Sequence, residues 1–412
     1  MKFNNSVLKS ISLLIAFSAV IWASGCDSSQ PALKDAYKND FLMGCAVNRF
    51  QVYGMSPKET AIVKQQFDSI TPENDLKWEK LYDDVNGYHF EAADKFVEFG
   101  QKNNMFIVGH TLVWHYQTPM SIFVDADGND VDRETLLKRM KDHIFTVVGR
   151  YKGRVNGWDV VNEALDANGV MRETKWMEII GPDYIEKAFE YAHQADPDAE
   201  LYYNDFDMWK SSKFQGVVQL VNNLKAKGLR IDAVGMQGHW GFNYPLADEL
   251  EAAIQAYSQT GVKVMVTELD ISVLPNLFED EGADIAAMRD MREGYNLYPD
   301  GLPDEVAQKQ AARYAELFSI FHKHAGKISR ITFWGVQDGN SWRNNWPVRG
   351  CADYPLLFGR DYQPKPAFYA VMNVVKSENE NKCCGSKKSN EQVKTVTKSK
   401  CGLYKCSGSS EN

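Results

Sequence analysis

Two glutamates carry the first chemical signal in the sequence. Glu163 closes the run Trp158-Asp159-Val160-Val161-Asn162-Glu163, and Glu268 sits in Thr267-Glu268-Leu269-Asp270. Each stands where a short apolar run gives way to polar residues. A single Glu in such a place is most often a salt-bridge partner. Two of them facing each other across one cleft are what cleavage of a glycosidic bond requires. One must be held protonated, to give its proton to the leaving oxygen. The other must stay ionised, to attack the anomeric carbon. Other apolar runs also end in polar residues: Thr71 to Trp78, Gly109 to His115, Tyr203-Asn204-Asp205, Gln237-Gly238-His239-Trp240 and Phe333-Trp334-Gly335. The histidines do not recur at metal-ligand spacing and this chemistry needs no ion, so neither a metal nor a cofactor is expected.

For two such groups to share a cleft, the chain between them must fold in a particular way. Eight short apolar runs alternate with longer amphipathic stretches. The runs are 41–47, 69–71, 106–109, 155–161, 201–203, 233–236, 262–267 and 331–334. That alternation predicts repeated βα units around a parallel sheet, and eight of them in one domain predict a closed (β/α)8 TIM barrel. An open doubly wound sheet is the alternative, but the chain has no glycine-rich phosphate loop. Barrel enzymes carry their chemistry at the C-terminal ends of the strands. Glu163 and Glu268, three βα units apart, then open into the same mouth. Ser56-Pro57-Lys58-Glu59 predicts a capping box with Pro at the first helical position, and 304–324 a long helix stopped near Gly326.

The chain of 412 residues suits one large catalytic domain with short ends. A net charge of −9 argues against nucleic acid as a partner. Ten Trp either fill a core or stack sugar rings, and composition alone does not separate the two. Lys2 and Lys9 precede an apolar run from Ile11 to Trp22, the layout of a secretory signal. Ala23-Ser24-Gly25-Cys26 resembles a bacterial lipobox, although Leu is usual where Ala23 stands. The expected organisation is a lipoprotein-type signal peptide over 1–25, a linker over 26–35, the barrel over 36–376 and a polar tail over 377–412. The tail is rich in Lys and Ser, cannot pack a core and is expected to be disordered. A secreted or outer-surface monomer is expected, with membrane contact only through a lipid on Cys26. Cys45 and Cys351 fall near predicted strands 1 and 8, neighbours in a closed barrel, which leaves a disulfide or two free thiols open.

Thr71 to Trp78, Trp158 to Glu163 and Thr267 to Asp270, taken together and in this order along the chain, resemble glycoside hydrolase family 10, the retaining endo-β-1,4-xylanases. The resemblance covers about residues 36–375. It implies xylan and xylo-oligosaccharides as substrates, Glu163 as acid/base and Glu268 as nucleophile. Asn162 would bond the sugar 2-hydroxyl at the cleavage subsite. His239 would bond Glu268, with Asp270 behind it. Glu73, Asn74 and Lys77 would grip the next sugar toward the non-reducing end. His110, Trp114 and Gln237 would line the cleavage subsite, Trp334 and Trp342 would be aromatic walls, and Asn204 would lie on the aglycone side. His115, Asp159 and Asp205 are set aside as supporting residues. Two features depart from the family. Phe206 stands in Asn204-Asp205-Phe206-Asp207 where Tyr is common, and 275–303 is a long acidic loop. A related barrel hydrolase on β-1,4-glucan or mannan would share the two Glu without Glu73, Asn74, Lys77 and Trp342. A surface lipoprotein that only binds glycan usually lacks one catalytic carboxylate.

Overall fold

The computed structural model describes residues 32–276 and 294–376. Eight parallel strands build the barrel. They are β1 Leu42–Val47, β2 Ser69–Pro72, β3 Phe106–Val113, β4 Gly157–Asn162, β5 Glu200–Asp205, β6 Ala233–Met236, β7 Lys263–Ile271 and β8 Ile328–Phe333. Each pairs with the next, and β8 pairs back onto β1, so the sheet closes. A helix follows every strand, from Pro57–Gln66 after β1 to 366–376 after β8. The helix Asp304–Lys323 shows why these segments become helices here. Ala307, Ala311, Tyr314, Phe318 and Phe321, three or four residues apart, are all buried. Burying each large side chain of that stripe against the barrel stabilises by roughly 1.5–3 kcal/mol. A separate buried cluster of strand residues, Val108, Tyr202, Ala233 and Met265, fills the barrel interior, where the Arg330 guanidinium lies over Phe106 and Tyr202.

Several local expectations change. β3 runs on to Val113 and β7 to Ile271, so His110, Glu268 and Asp270 lie within strands rather than beyond them. The pairing register shifts between His110 and Val113, between Asp159 and Val161, and between Val266 and Leu269. Such bulges re-aim side chains, and they fall on β7, which carries Glu268, on β4, which leads into Glu163, and on the neighbouring β3. Ser56 makes no side-chain cap, although Pro57 does open the helix. Glu59 turns inward instead, fully buried, and accepts from the amides of Gln51, Gln337 and Asn340. Three inward donors hold that carboxylate better than one solvent-facing cap. Cys45 and Cys351 are free thiols, both buried. Cys351 lies well past the end of β8, in a cluster with Val273, Leu274, Tyr295 and Tyr354, so the two do not pair. Cys26, the tail over 377–412 and most of the acidic loop lie outside the described residues.

Candidate active site

Strand register sets the first contacts. His110 on β3 pairs with Asp159 on β4, and the His110 Nδ1 meets the Asp159 carboxylate at 2.9 Å. Asn162 on β4 pairs with Asn204 on β5, and their side-chain amides meet at 2.9 Å. A two-residue extension after β6, His239–Trp240, pairs with Asp270 and Ile271 at the end of β7. Asp270 is thereby placed to bond His239. Gly235 on β6 makes room for this layer. A Cβ there would stand 2.5 Å from the Asn204 carboxamide oxygen and 2.7 Å from Thr267.

Glu268 takes two donors on its two oxygens. Asn204 Nδ2 reaches Oε1 at 2.9 Å and His239 Nε2 reaches Oε2 at 3.2 Å. Thr267 Oγ1 donates to the Asn204 carbonyl at 2.6 Å and so fixes which end of that amide faces Glu268. His239 Nδ1 meets Asp270 Oδ2 at 2.9 Å. Asp270 is wholly buried and also accepts from Trp342 Nε1 at 2.8 Å and Arg343 Nε at 2.7 Å. Burial alone would lower the basicity of His239, but the carboxylates of Asp270 and Glu268 outweigh it and lift its pKa to about 9. The ring is therefore an imidazolium at neutral pH, and both of its nitrogens donate. Burial pushes Glu268 up, yet the bonds and charges around it, His239 foremost, hold it below the ordinary carboxylate value.

Glu163 shifts the other way. Its backbone adopts a left-handed conformation, φ +57°, at the end of β4. Trp114 Nε1 donates to Oε2 at 2.9 Å and Gln237 Nε2 to Oε1 at 2.7 Å. Burial, the nearby charge of Asp205 and that of Glu268 together raise its pKa against these two donors. Asp205 is a fully buried partner of Lys213 at 2.7 Å. Arg172 Nε bonds the Glu163 backbone carbonyl at 3.1 Å, and its guanidinium lies over Phe206. One carboxyl is poised to hold a proton and one to stay charged, within one cleft. That is the division needed for acid-assisted displacement at an anomeric carbon.

The remaining residues frame the cleft. Lys77 is buried, bonds Asn74 Oδ1 at 3.0 Å and stands 5.1 Å above the Trp114 ring. Burial lowers its pKa, and Glu268, Glu73 and Glu163 oppose that. Glu73 accepts from Asn48 at 3.0 Å. Trp334 meets His110 edge-on at 5.4 Å and lies 6.4 Å from His239. Trp342 packs against His239 at 4.8 Å and stacks on Trp346 at 5.1 Å.

The expectation for Asn204 changes. Its side chain is wholly buried and supports Glu268, so it offers no surface to a leaving group. His115, set aside, is half-buried and held neutral by burial, with a pKa of about 4. Asp159 and Asp205, also set aside, each touch or bias a residue of the cleft. The sequence alone gave a role to neither Arg343 nor Thr267. Both are single polar residues with no periodic signal, although Arg343 directly follows Trp342 and Thr267 directly precedes Glu268.

Known proteins of the same build exist. The sequence profile of glycosyl hydrolase family 10 matches residues 32–374. An endo-1,4-β-xylanase A of Xylanibacter ruminicola is 44% identical over 346 residues, 84% of this chain and 94% of that protein. An endo-1,4-β-xylanase of Geobacillus stearothermophilus is 40% identical, over 84% of this chain and 99% of that one. Among solved structures, a family 10 endoxylanase from a sugarcane soil metagenome superposes with a TM-score of 0.78 at 42% identity, covering 84% of this chain and 100% of that chain.

Proposed function

The chain belongs to glycosyl hydrolase family 10, and from that membership we propose the division of labour in its cleft: Glu163 is the acid/base and Glu268 the nucleophile. The enzyme is an endo-1,4-β-xylanase, acting on xylan and xylo-oligosaccharides with retention of configuration. In the first step Glu163 gives its proton to the glycosidic oxygen as the bond to the anomeric carbon breaks, while Glu268 attacks that carbon and forms an ester. In the second step Glu163 takes a proton from water, the water oxygen bonds the anomeric carbon, and Glu268 leaves as the carboxylate. Two inversions return the β-anomer.

The observation that carries this assignment is the contact of His239, backed by Asp270, on Glu268, set against the two neutral donors, Trp114 and Gln237, on the buried Glu163. A cation on the nucleophile keeps it charged at the pH at which Glu163 still holds its proton. Forming the ester removes the negative charge of Glu268, one of the influences that raise Glu163. Glu163 then gives up its proton more readily, and Trp114 and Gln237 stabilise the anion that acts as base. Proton NMR of the first products from xylan, with reducing-sugar release compared across xylan, cellulose and mannan, tests the assignment. The β-anomer and xylan turnover are expected. The α-anomer first, or equal turnover of all three polymers, would refute it.

We also propose that the enzyme acts outside the cytoplasm as a monomer held to a membrane by lipid on Cys26. The apolar run Ile11 to Trp22 and the small residues before Cys26 support this. Stable anchoring takes more than one acyl chain, which a lipidated N-terminal cysteine supplies. Cys26→Ser is expected to release active enzyme into the soluble fraction. Membrane association that persists in the variant sinks the anchor and leaves the enzymology untouched. Sedimentation of the released enzyme checks the monomer.

A further inference from the structure

We propose that Arg343 is a positioning residue for the nucleophile, acting on Glu268 through Asp270 and His239. This rests on the assignment of Glu268 as nucleophile. Arg343 and Trp342 are adjacent in a short 3-10 turn, with the Ser341 hydroxyl accepting from the Arg343 backbone N–H at 3.3 Å. Their side chains take hold of the two different oxygens of one carboxylate: Arg343 Nε binds Asp270 Oδ1 at 2.7 Å, and Trp342 Nε1 binds Oδ2 at 2.8 Å. Oδ2 also meets His239 Nδ1 at 2.9 Å, and His239 Nε2 meets Glu268 Oε2 at 3.2 Å. The result is a row of four groups of alternating charge, Arg343, Asp270, His239 and Glu268, with Asp270 wholly buried at its centre.

A buried carboxylate is costly unless it is both paired and bonded. Asp270 has two cations, and they differ in kind. His239 can lose its proton; Arg343 cannot. With Arg343 in place, Asp270 stays ionised whichever state His239 adopts, so the imidazole keeps its orientation through the catalytic cycle. Without Arg343, the row carries one more net negative charge, and that charge acts on His239 and Glu268 together. Proton affinity then rises along the row, and Glu268 protonates at a higher pH.

Other groups facing the row set the background. Tyr314, on the helix Asp304–Lys323, feels Asp270, and Asp353, Tyr244 and Tyr295 feel Arg343. Glu268 also faces His110, Lys77, Asn204 and Glu163. Among the described contacts, Arg343 is the one permanently charged donor to Asp270.

The test is the pH dependence of kcat/KM on an aryl β-xylobioside for wild type, Arg343→Met, Arg343→Gln and Arg343→Lys. Arg343→Met is expected to lower kcat by about 10–100-fold with little change in KM, and to move the acidic limb up by about one pH unit. Arg343→Lys keeps the charge and is expected to leave the limb near its wild-type position. Should Arg343→Met fail to fold, Arg343→Gln carries the same test, because it keeps an N–H donor at the position of Nε and loses the charge with the outer guanidinium. A limb that stays put in both neutral variants, or that moves as far in Arg343→Lys, overturns the proposal and leaves Arg343 a packing residue. Failure of the nucleophile assignment looks different: Glu268→Gln would then retain turnover, whatever the Arg343 variants do.

Discussion

Glu163 and Glu268 lie in one cleft, 8% and 5% exposed, and each takes two hydrogen bonds. Their proton affinities nevertheless move apart. Behind Glu163 the donors are neutral, an indole and an amide, and the charges that raise its proton affinity are the carboxylates of Asp205 and Glu268. Behind Glu268 one donor is an imidazolium, itself backed by Asp270 and Arg343. Burial acts on both in the same direction, so burial does not assign the roles. The sign of the charge in the next layer does: negative charge near a buried carboxyl keeps its proton on, and positive charge takes it off. The two glutamates are thus distinguished by what lies one residue behind each of them.

The comparison is broken most severely at the nucleophile. Glu268→Gln leaves nothing to form the ester, and turnover of xylan and of every aryl xyloside is expected to fall on the order of 10⁵- to 10⁶-fold, measured by steady-state release of the leaving group. Glu163→Ala removes proton donation but not the nucleophile. On xylan the expected loss is about 10²- to 10⁴-fold. On a dinitrophenyl xylobioside, whose leaving group needs no proton, formation of the glycosyl-enzyme should persist and added azide should speed turnover. Equal, unrescued losses in the two variants on that substrate would contradict the separation of roles.

Trp342 belongs to the Glu268 side through its N–H, and its ring is expected to meet the substrate. Xylose lacks the hydroxymethyl group of glucose, and a large ring placed where that group would project excludes glucose by overlap rather than by better attraction. Trp342→Ala is expected to shift the ratio of aryl xylobioside to aryl cellobioside kcat/KM toward cellobioside by about 10–200-fold. Because the indole N–H also holds Asp270, the xyloside rate should fall as well. Trp342→Phe separates the two roles: it is expected to lose rate while keeping most of the preference. An unmoved ratio in Trp342→Ala places specificity elsewhere.

Smaller changes sharpen the contrast through pH. Gln237→Met removes a donor that favours the ionised form of Glu163, so Glu163 holds its proton to higher pH and the alkaline limb of kcat/KM moves up, with only a modest rate loss. A downward shift would mean that Gln237 does not act on Glu163. The smallest effect is on stability. The folded pKa of His239, about 9, lies above its ordinary 6.5. Its protonation therefore contributes stability that is fully present below pH 6.5 and is lost as pH rises through about 9. The size is on the order of 3 kcal/mol. Wild type should lose a few degrees of Tm between pH 6.5 and 9 that His239→Gln does not lose. Parallel Tm curves would show that the imidazolium adds nothing to the fold.

The sequence by itself determined the barrel and singled out the two glutamates proposed to do its chemistry. Eight apolar runs at βα spacing allow few other closed arrangements, because each strand must be covered by a helix and adjacent in-phase units close the sheet. Glu163 and Glu268 were legible because they stand at strand ends in distinctive local company. Beyond His239 and Asp270, which the family resemblance implied, only the tertiary structure decided the second layer. Asn204 was legible as a polar strand-end residue, yet nothing in its neighbours says that its amide turns under Glu268 rather than toward a leaving group; Thr267, on another strand, fixes that. Ser56 and Glu59 have the spacing of a cap, but three amides, that of Gln51 nearby and those of Gln337 and Asn340 from a distant segment, draw Glu59 inward. Arg343 lies 73 residues from the aspartate it holds. Local pattern reports which face of an element is apolar. The partners of a buried charge are chosen by which strand ends and loops the closed barrel brings within about 3 Å of one another, and that is a property of closure rather than of any segment.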